Sequence, residues 1–153
     1  MSRAARIAAW SRRGGAYRRR FAQALLVLLF GFDLPPGVEV GCGVEFLHNG
    51  IGTVIHPTTV IGDGVVICQN VTIGDATNWA GYDGDGRFGG VTIGEGAIVC
   101  TGAKVLCSDG RLVVGRGTVV GANAVLTKST GEYEVWAGVP ARMIRKIRRE
   151  SGR

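Results

Sequence analysis

From Val38 to Ser129 the chain is written in phrases of six. They read VEVGCG, VEFLHN and, after GIG, TVIHPT, TVIGDG, VVICQN and VTIGDA. A 14-residue interruption follows, then VTIGEG, AIVCTG, AKVLCS and, after DGR, LVVGRG, TVVGAN and AVLTKS. The third place is aliphatic or aromatic in every hexad: Val40, Phe46, Ile55, Ile61, Ile67, Ile73, Ile93, Val99, Val105, Val114, Val120 and Leu126. The first place is mostly small or β-branched. Self-similarity at a fixed period decides architecture before local propensity does. A sandwich of short strands would alternate with period two and space its strands 8–12 residues apart, and the chain does neither. The period predicts a mainly β protein, a parallel β-helix. Each hexad gives a short strand with its third residue inward, and glycine relieves the corner. Three hexads close a coil, so the repeat makes about four coils stacked at roughly 4.8 Å.

Different patterns flank the repeat. Residues 1–32 form a basic and apolar segment predicted as helices over about 3–13 and 16–31. The β-helix is expected over 33–130 with a loop insertion at 77–90, and a C-terminal loop and helix over 131–153. The run RRRFAQALLVLLF imitates a secretion signal, but a turn, GFDLPPG, follows it in place of a small-residue cleavage site. The apolar stretch also falls short of the roughly 20 residues that span a bilayer. Packing of these helices on the main domain is the preferred reading. The alternative is peripheral contact with a membrane.

Glycine, 26 of 153 residues, is well above its usual level of about 7%. With 46% hydrophobic residues and four prolines, the chain is neither disordered nor collagenous. The formal charge of +6 is uneven: seven Arg and no acid fall in residues 1–20, against five basic and nine acidic residues in 21–130. A basic total often marks a nucleic-acid partner. Here the charge lies outside the repeat with no aromatic interleaving, and no nucleic acid is expected. Cys42, Cys68, Cys100 and Cys107 lack CxxC spacing. They form no disulfide or zinc pattern and read as small hydrophobes in a reducing, cytoplasmic setting, with the N-terminal segment available to the inner membrane face.

The chain has two histidines. His48 lies where the repeat breaks, in FLHNG, at what the phrasing makes the fifth place, an outward corner. Steps of three hexads from it land on Gln69, Thr101 and Ala122. These residues are expected to form one vertical file, a ring, an amide and two small residues along which a slender ligand could lie. His56, in VIHPTT, reads as structural, and two histidines give no three-histidine metal site. No metal is expected.

The phrases HNGIGTVI, VVICQNVTIG, IGEGAIVCTGAKVL, VGRGTVVGANAVLTKS and AGVPAR resemble the left-handed hexapeptide-repeat acyltransferases. Within them the chain is most like serine acetyltransferases and their short exopolysaccharide-acetylating relatives. The resemblance covers residue 33 to about 147. It implies a homotrimer with active sites between subunits and acetyl-CoA as donor. It also implies that His48 is the general base, paired with Asp33 fifteen residues earlier; alternatively Asp33 caps the turn before Pro35 and Pro36. Such a base takes the hydroxyl proton as oxygen attacks the thioester, worth about 10²–10⁴ in rate. Donor binding is expected at Thr101, Gly102, Ala103, Lys104, Ala122, Gly138, Pro140 and Arg142, with Arg145 and Lys146 either attracting phosphates or forming a solvated face. Gln69 and Arg87 are the expected acceptor contacts.

The insertion TNWAGYDGDGRFGG offers Trp79, Tyr82 and Phe88 as cover for ligand. Its DGDG lacks the spaced ligands and final Glu of a calcium loop. The chain departs from serine enzymes in having Leu47 where they place an acid and no histidine beside Arg87. A saccharide or polysaccharide-precursor hydroxyl is therefore the expected acceptor, with serine O-acetylation the alternative and a non-enzymatic assembly β-helix a third reading.

Overall fold

A computed structural model of the chain describes residues 1–12, 14–77 and 88–148. Its body is a left-handed parallel β-helix with three sheets as the faces of a triangular prism. The first sheet stacks β1 (Glu39–Val40), β4 (Val60–Ile61), β7 (Phe88–Ile93) and β10 (Gly110–Val114). The second stacks β2 (Glu45–Phe46), β5 (Val66–Ile67), β8 (Ile98–Val99) and β11 (Val119–Val120). The third stacks β3 (Val54–Ile55), β6 (Thr72–Asp75), β9 (Lys104–Cys107) and β12 (Val125–Leu126).

Register explains the core. Phe46 pairs with Ile67, Ile67 with Val99 and Val99 with Val120, so third-place side chains stand in a column. All third-place residues are buried except Val40, which is half-buried in the first coil. Every first-place residue is buried as well, from Val38 to Ala124. Residues i and i+2 of a strand share a face, so each hexad sends two side chains inward where one was expected.

Three first-place residues are threonines at 0% exposure: Thr53, Thr59 and Thr118. Thr53 Oγ1 donates to the Cys68 carbonyl and accepts from the Val71 amide, both at 3.3 Å. Thr118 Oγ1 donates to the Gly131 carbonyl at 2.8 Å and accepts from the Glu134 amide at 3.1 Å. Thr59 Oγ1 has no hydrogen-bond partner among the described residues.

Two hairpins close the prism. At the N-terminal end α1 (Arg3–Arg12) and α2 (Ala16–Phe30) lie within a residue of their predicted ends. Gly31, left-handed at φ 59°, stops α2: its amide donates to the Val27 carbonyl and the Phe32 amide donates to the Leu26 carbonyl. Ala4, Ala5, Ala8 and Leu26 join the core beneath Phe32 and Phe46, whose rings lie 4.8 Å apart.

The C-terminal end corrects an expectation. Instead of a helix, β13 (Glu134–Gly138) adds to the second sheet beside β11 and β14 (Ala141–Lys146) folds back antiparallel on it. The reason is the open edge: β13 stacked on the last coil would present unpaired amides and carbonyls, and β14 satisfies them. Trp136 and Ala141 are buried under this cap. Residues 149–153 lie outside the described residues.

The threonines yield a paired prediction. Thr59→Val removes an unsatisfied buried hydroxyl and is expected to raise stability by about 1 kcal/mol, whereas Thr118→Val removes two part-buried hydrogen bonds and should cost about 1 kcal/mol. Urea unfolding midpoints of the two variants, moving in opposite directions, check this.

Candidate functional site

The site begins with how the coil turns its corners. In the regular corners the first-place amide donates to the fourth-place carbonyl before it: Ala97 to Gly94, Ala103 to Cys100, Thr118 to Gly115, Ala124 to Gly121. The sixth-place amide donates to the fifth-place carbonyl of the preceding coil: Gly64 to Cys42, Gly96 to Asp63, Gly102 to Gln69, Asn123 to Thr101. These sixth places are Gly or Asn at positive φ.

At the break both rules are met by other residues than the hexad phrasing assigns. The Thr53 amide donates to Gly50, the Asn70 amide donates to Ile51, and Gly52 takes the left-handed conformation at φ 68°. Gly50, Ile51 and Gly52 therefore hold the fourth, fifth and sixth places. The residues left over are Leu47, His48 and Asn49, looped out of the coil in a 3₁₀ turn, Leu47–Gly50.

This corrects the expected file. Ile51, not His48, stacks with Gln69, Thr101 and Ala122, and His48 is extruded from the same corner. Thr101 Oγ1 donates to Gln69 Oε1 at 3.4 Å, so the middle of the file is bonded. The His48 side chain is exposed. Its backbone is left-handed, φ 52° and ψ 34°, as is that of Asn49 at φ 59°. A non-glycine residue held there costs of order 1–3 kcal/mol, and such strain concentrates at functional sites.

Two contacts hold the excursion. Asn49 Oδ1 accepts from the Arg3 amide at 3.0 Å and the Ala4 amide at 3.4 Å, capping the first turn of α1. Gly50 packs so closely on Phe32 that an added Cβ would meet the ring at 2.8 Å. Neither contact was read from the sequence, although glycine at the fourth place of half the hexads was a signal that Gly50 belongs to the coil.

Asp33 lies below β3, bridged in parallel to Val54. Its Oδ1 accepts from Gln23 Nε2 of α2 at 2.7 Å. Asp33 and His48 share no hydrogen bond among the described residues. Gln23 was not foreseen, and nothing in the sequence marks it.

The remaining expected contacts divide. Thr101 and Gly102 line the corner, and Lys104 Nζ reaches the Asn70 carbonyl at 3.1 Å. Ala103 is corrected as a donor contact: it fills a first place at 0% exposure, its methyl inside the prism. Ala122 is exposed. The register of β11 with β13, continued past the strand, brings Gly138 above it. Pro140, Arg142, Arg145 and Lys146 are exposed on the terminal hairpin. Arg87, Trp79 and Tyr82 lie outside the described residues.

Cys68 and Cys100 stack beside the file, both half-buried. Burial pushes the Cys100 thiol up, and nearby Cys68 adds to the shift. A thiol kept protonated is a poor nucleophile and does not compete for a thioester. His56 is partnered: the Thr58 amide donates to its Nδ1 at 3.3 Å, and Phe88 packs edge-on at 4.8 Å.

Comparison with known proteins bears on this corner. No protein-family model matches the chain. It is 36% identical over 143 residues to a serine acetyltransferase of Mycobacterium tuberculosis, spanning 91% of this chain and 57% of that protein. With a serine acetyltransferase of Helicobacter pylori it shares 37% identity over 141 residues, 86% of this chain and 75% of the other. The chain spans about half the length of most curated relatives it matches. Among solved structures, the Brucella abortus serine acetyltransferase in complex with coenzyme A superposes with a TM-score of 0.70 at 30% identity, over 86% of this chain and 50% of that one. A serine acetyltransferase complex with cysteine does so at 0.70 and 32%, over 84% and 51%.

The Asn49 cap predicts a measurable coupling. Asn49→Gly keeps the left-handed backbone but removes the acceptor, and is expected to cost about 1 kcal/mol and to speed amide exchange at Arg3 and Ala4. Asn49→Asp, which retains an oxygen, should leave that exchange near the original rate.

Proposed function

We propose a function from one premise, that this chain belongs to the serine acetyltransferase family. The protein is an acetyl-CoA-dependent O-acetyltransferase. His48 takes the acceptor's hydroxyl proton as its oxygen attacks the thioester carbonyl. Collapse of the tetrahedral intermediate breaks the C–S bond, and the imidazolium returns the proton to the departing sulfur, leaving CoA thiol and an acetyl ester. Asp33 has a second carboxylate oxygen beyond the one Gln23 holds, and it orients the imidazole in the loaded site; such bonds are often open in apo structures and tighten with substrate.

The observation that carries this reading is the extrusion of His48, in strained backbone, from the corner lined by Gln69, Thr101 and Ala122. The pantetheine arm lies along that small-residue edge, with Gly102 and Lys104 beside it. Gly138, Pro140 and Arg142 stand at the CoA end. A homotrimer supplies the facing wall from the next subunit.

The acceptor is the serine hydroxyl, ahead of the saccharide expected from the sequence, because the matched relatives are named for serine. Gln69 and Arg87 are its contacts. A saccharide hydroxyl is the second reading, favoured by Leu47, 41% exposed beside His48, where the resemblance to serine enzymes would put an acid.

Thiol release from acetyl-CoA tests the proposal. Serine is expected to drive it faster than any sugar in a panel, and His48→Ala to lower the rate about 10²–10⁴-fold. A His48→Ala protein as fast as the parent overturns the mechanism; a faster sugar overturns the acceptor. Ala122→Trp, an exposed corner change, is expected to weaken CoA binding at least about tenfold by calorimetry, some 1.4 kcal/mol, with the thermal unfolding curve unmoved.

A further inference from the structure

Helix α2 has two apolar faces, and the β-helix covers one. Ala22 and Leu26 are buried against the first coil. On the opposite side Tyr17, Phe21, Ala24 and Leu28 follow at spacings of four, three and four, one continuous stripe on a helix. Tyr17 is 92% exposed, Phe21 59% and Leu28 83%. Trp10 of α1 borders the stripe. With Arg6, Ile7, Phe21 and Leu25 it lines a cleft of about 410 Å³, and the Arg18 guanidinium sits 4.7 Å over its ring.

Charge says what this face meets. Residues 1–32 hold seven Arg and no Asp or Glu, and Arg3, Arg6, Arg18, Arg19 and Arg20 are exposed around the hairpin. A second copy docking face to face would set these arginines against their own counterparts, a like-charge contact. An anionic lipid surface presents the opposite sign together with an apolar interior for the stripe. At 15 residues, α2 is about 22 Å long, short of the roughly 30 Å hydrocarbon core, and no described helix is long and apolar enough to cross a membrane. Tyr17 and Trp10 are residue types that settle at the headgroup level.

We propose that the exposed face of α2, with the arginines around it, docks the protein on an anionic lipid bilayer, the helix lying in the surface with Phe21 and Leu28 inserted. The inference is independent of the reaction assigned to the His48 corner.

Cosedimentation of the full chain with vesicles tests it. Vesicles of phosphatidylcholine mixed with phosphatidylglycerol are expected to bind at least tenfold more protein than phosphatidylcholine alone, and less as salt rises. Leu28→Glu, at a position 83% exposed, should lower binding more than tenfold, and Arg20→Gln about fivefold, with thermal unfolding unchanged for both. Equal binding to the two vesicle types, no binding, or a Leu28→Glu protein that binds as before overturns the proposal. Loss of an oligomer in Leu28→Glu by light scattering, without vesicle binding by the parent, assigns the face to a second copy instead.

Discussion

The in-register stacking of two inward side chains per hexad constrains everything else. Each buried residue sits on its counterpart one coil away, as Ile67 sits between Phe46 and Val99. An added residue within a strand would flip every following side chain to the wrong face. Extra sequence therefore leaves at a corner, where no inward position is consumed. The three-residue excursion Leu47–Asn49 obeys this rule. The fold permits chemistry only where its core is indifferent to what is added.

Corner sterics then select residue types. The turn needs a left-handed residue at the sixth place, supplied by Gly64, Gly96, Gly102, Asn70 and Asn123. His48 departs from that economy. It is neither Gly nor Asn, and it adopts φ 52° at a position the coil does not require. Asn49 tied to α1 and Gly50 seated under Phe32 hold it there. Strain maintained by surrounding contacts, with an exposed imidazole as the result, is what separates His48 from His56. The latter's ring is spent on Thr58 and Phe88.

Much of this was legible because hexad periodicity is a core signal. Inward columns, stacking order and both helices followed from apolar spacing. Which three residues leave at the break did not, since both Asn49 and Gly52 suit a left-handed sixth place. Only the bonds from Thr53 and Asn70 decide between them. The first place was legible as small but not as inward, which misplaced Ala103 as a ligand contact. The terminal strand β14 was unreadable for another reason: RMIRKI has good helix formers, and the open edge of β13 overrides them. The pairing of Asp33 with Gln23 joins residues from separate elements, and no local pattern announces it.

The boundary drawn at residue 32 by composition is not a boundary in packing. Of the bonds by which the N-terminal hairpin grips the β-helix, two adjoin residues assigned to catalysis. The first turn of α1 rests on Asn49, next to His48 in the chain, and Gln23 of α2 holds the Asp33 carboxylate. Between them Phe32 packs on Phe46, the last core residue before the excursion. Removing the hairpin would expose that core, uncap the strained turn and release the carboxylate together. The same two helices that carry the arginine-rich outer face are thus the ones that brace Asn49 and Asp33.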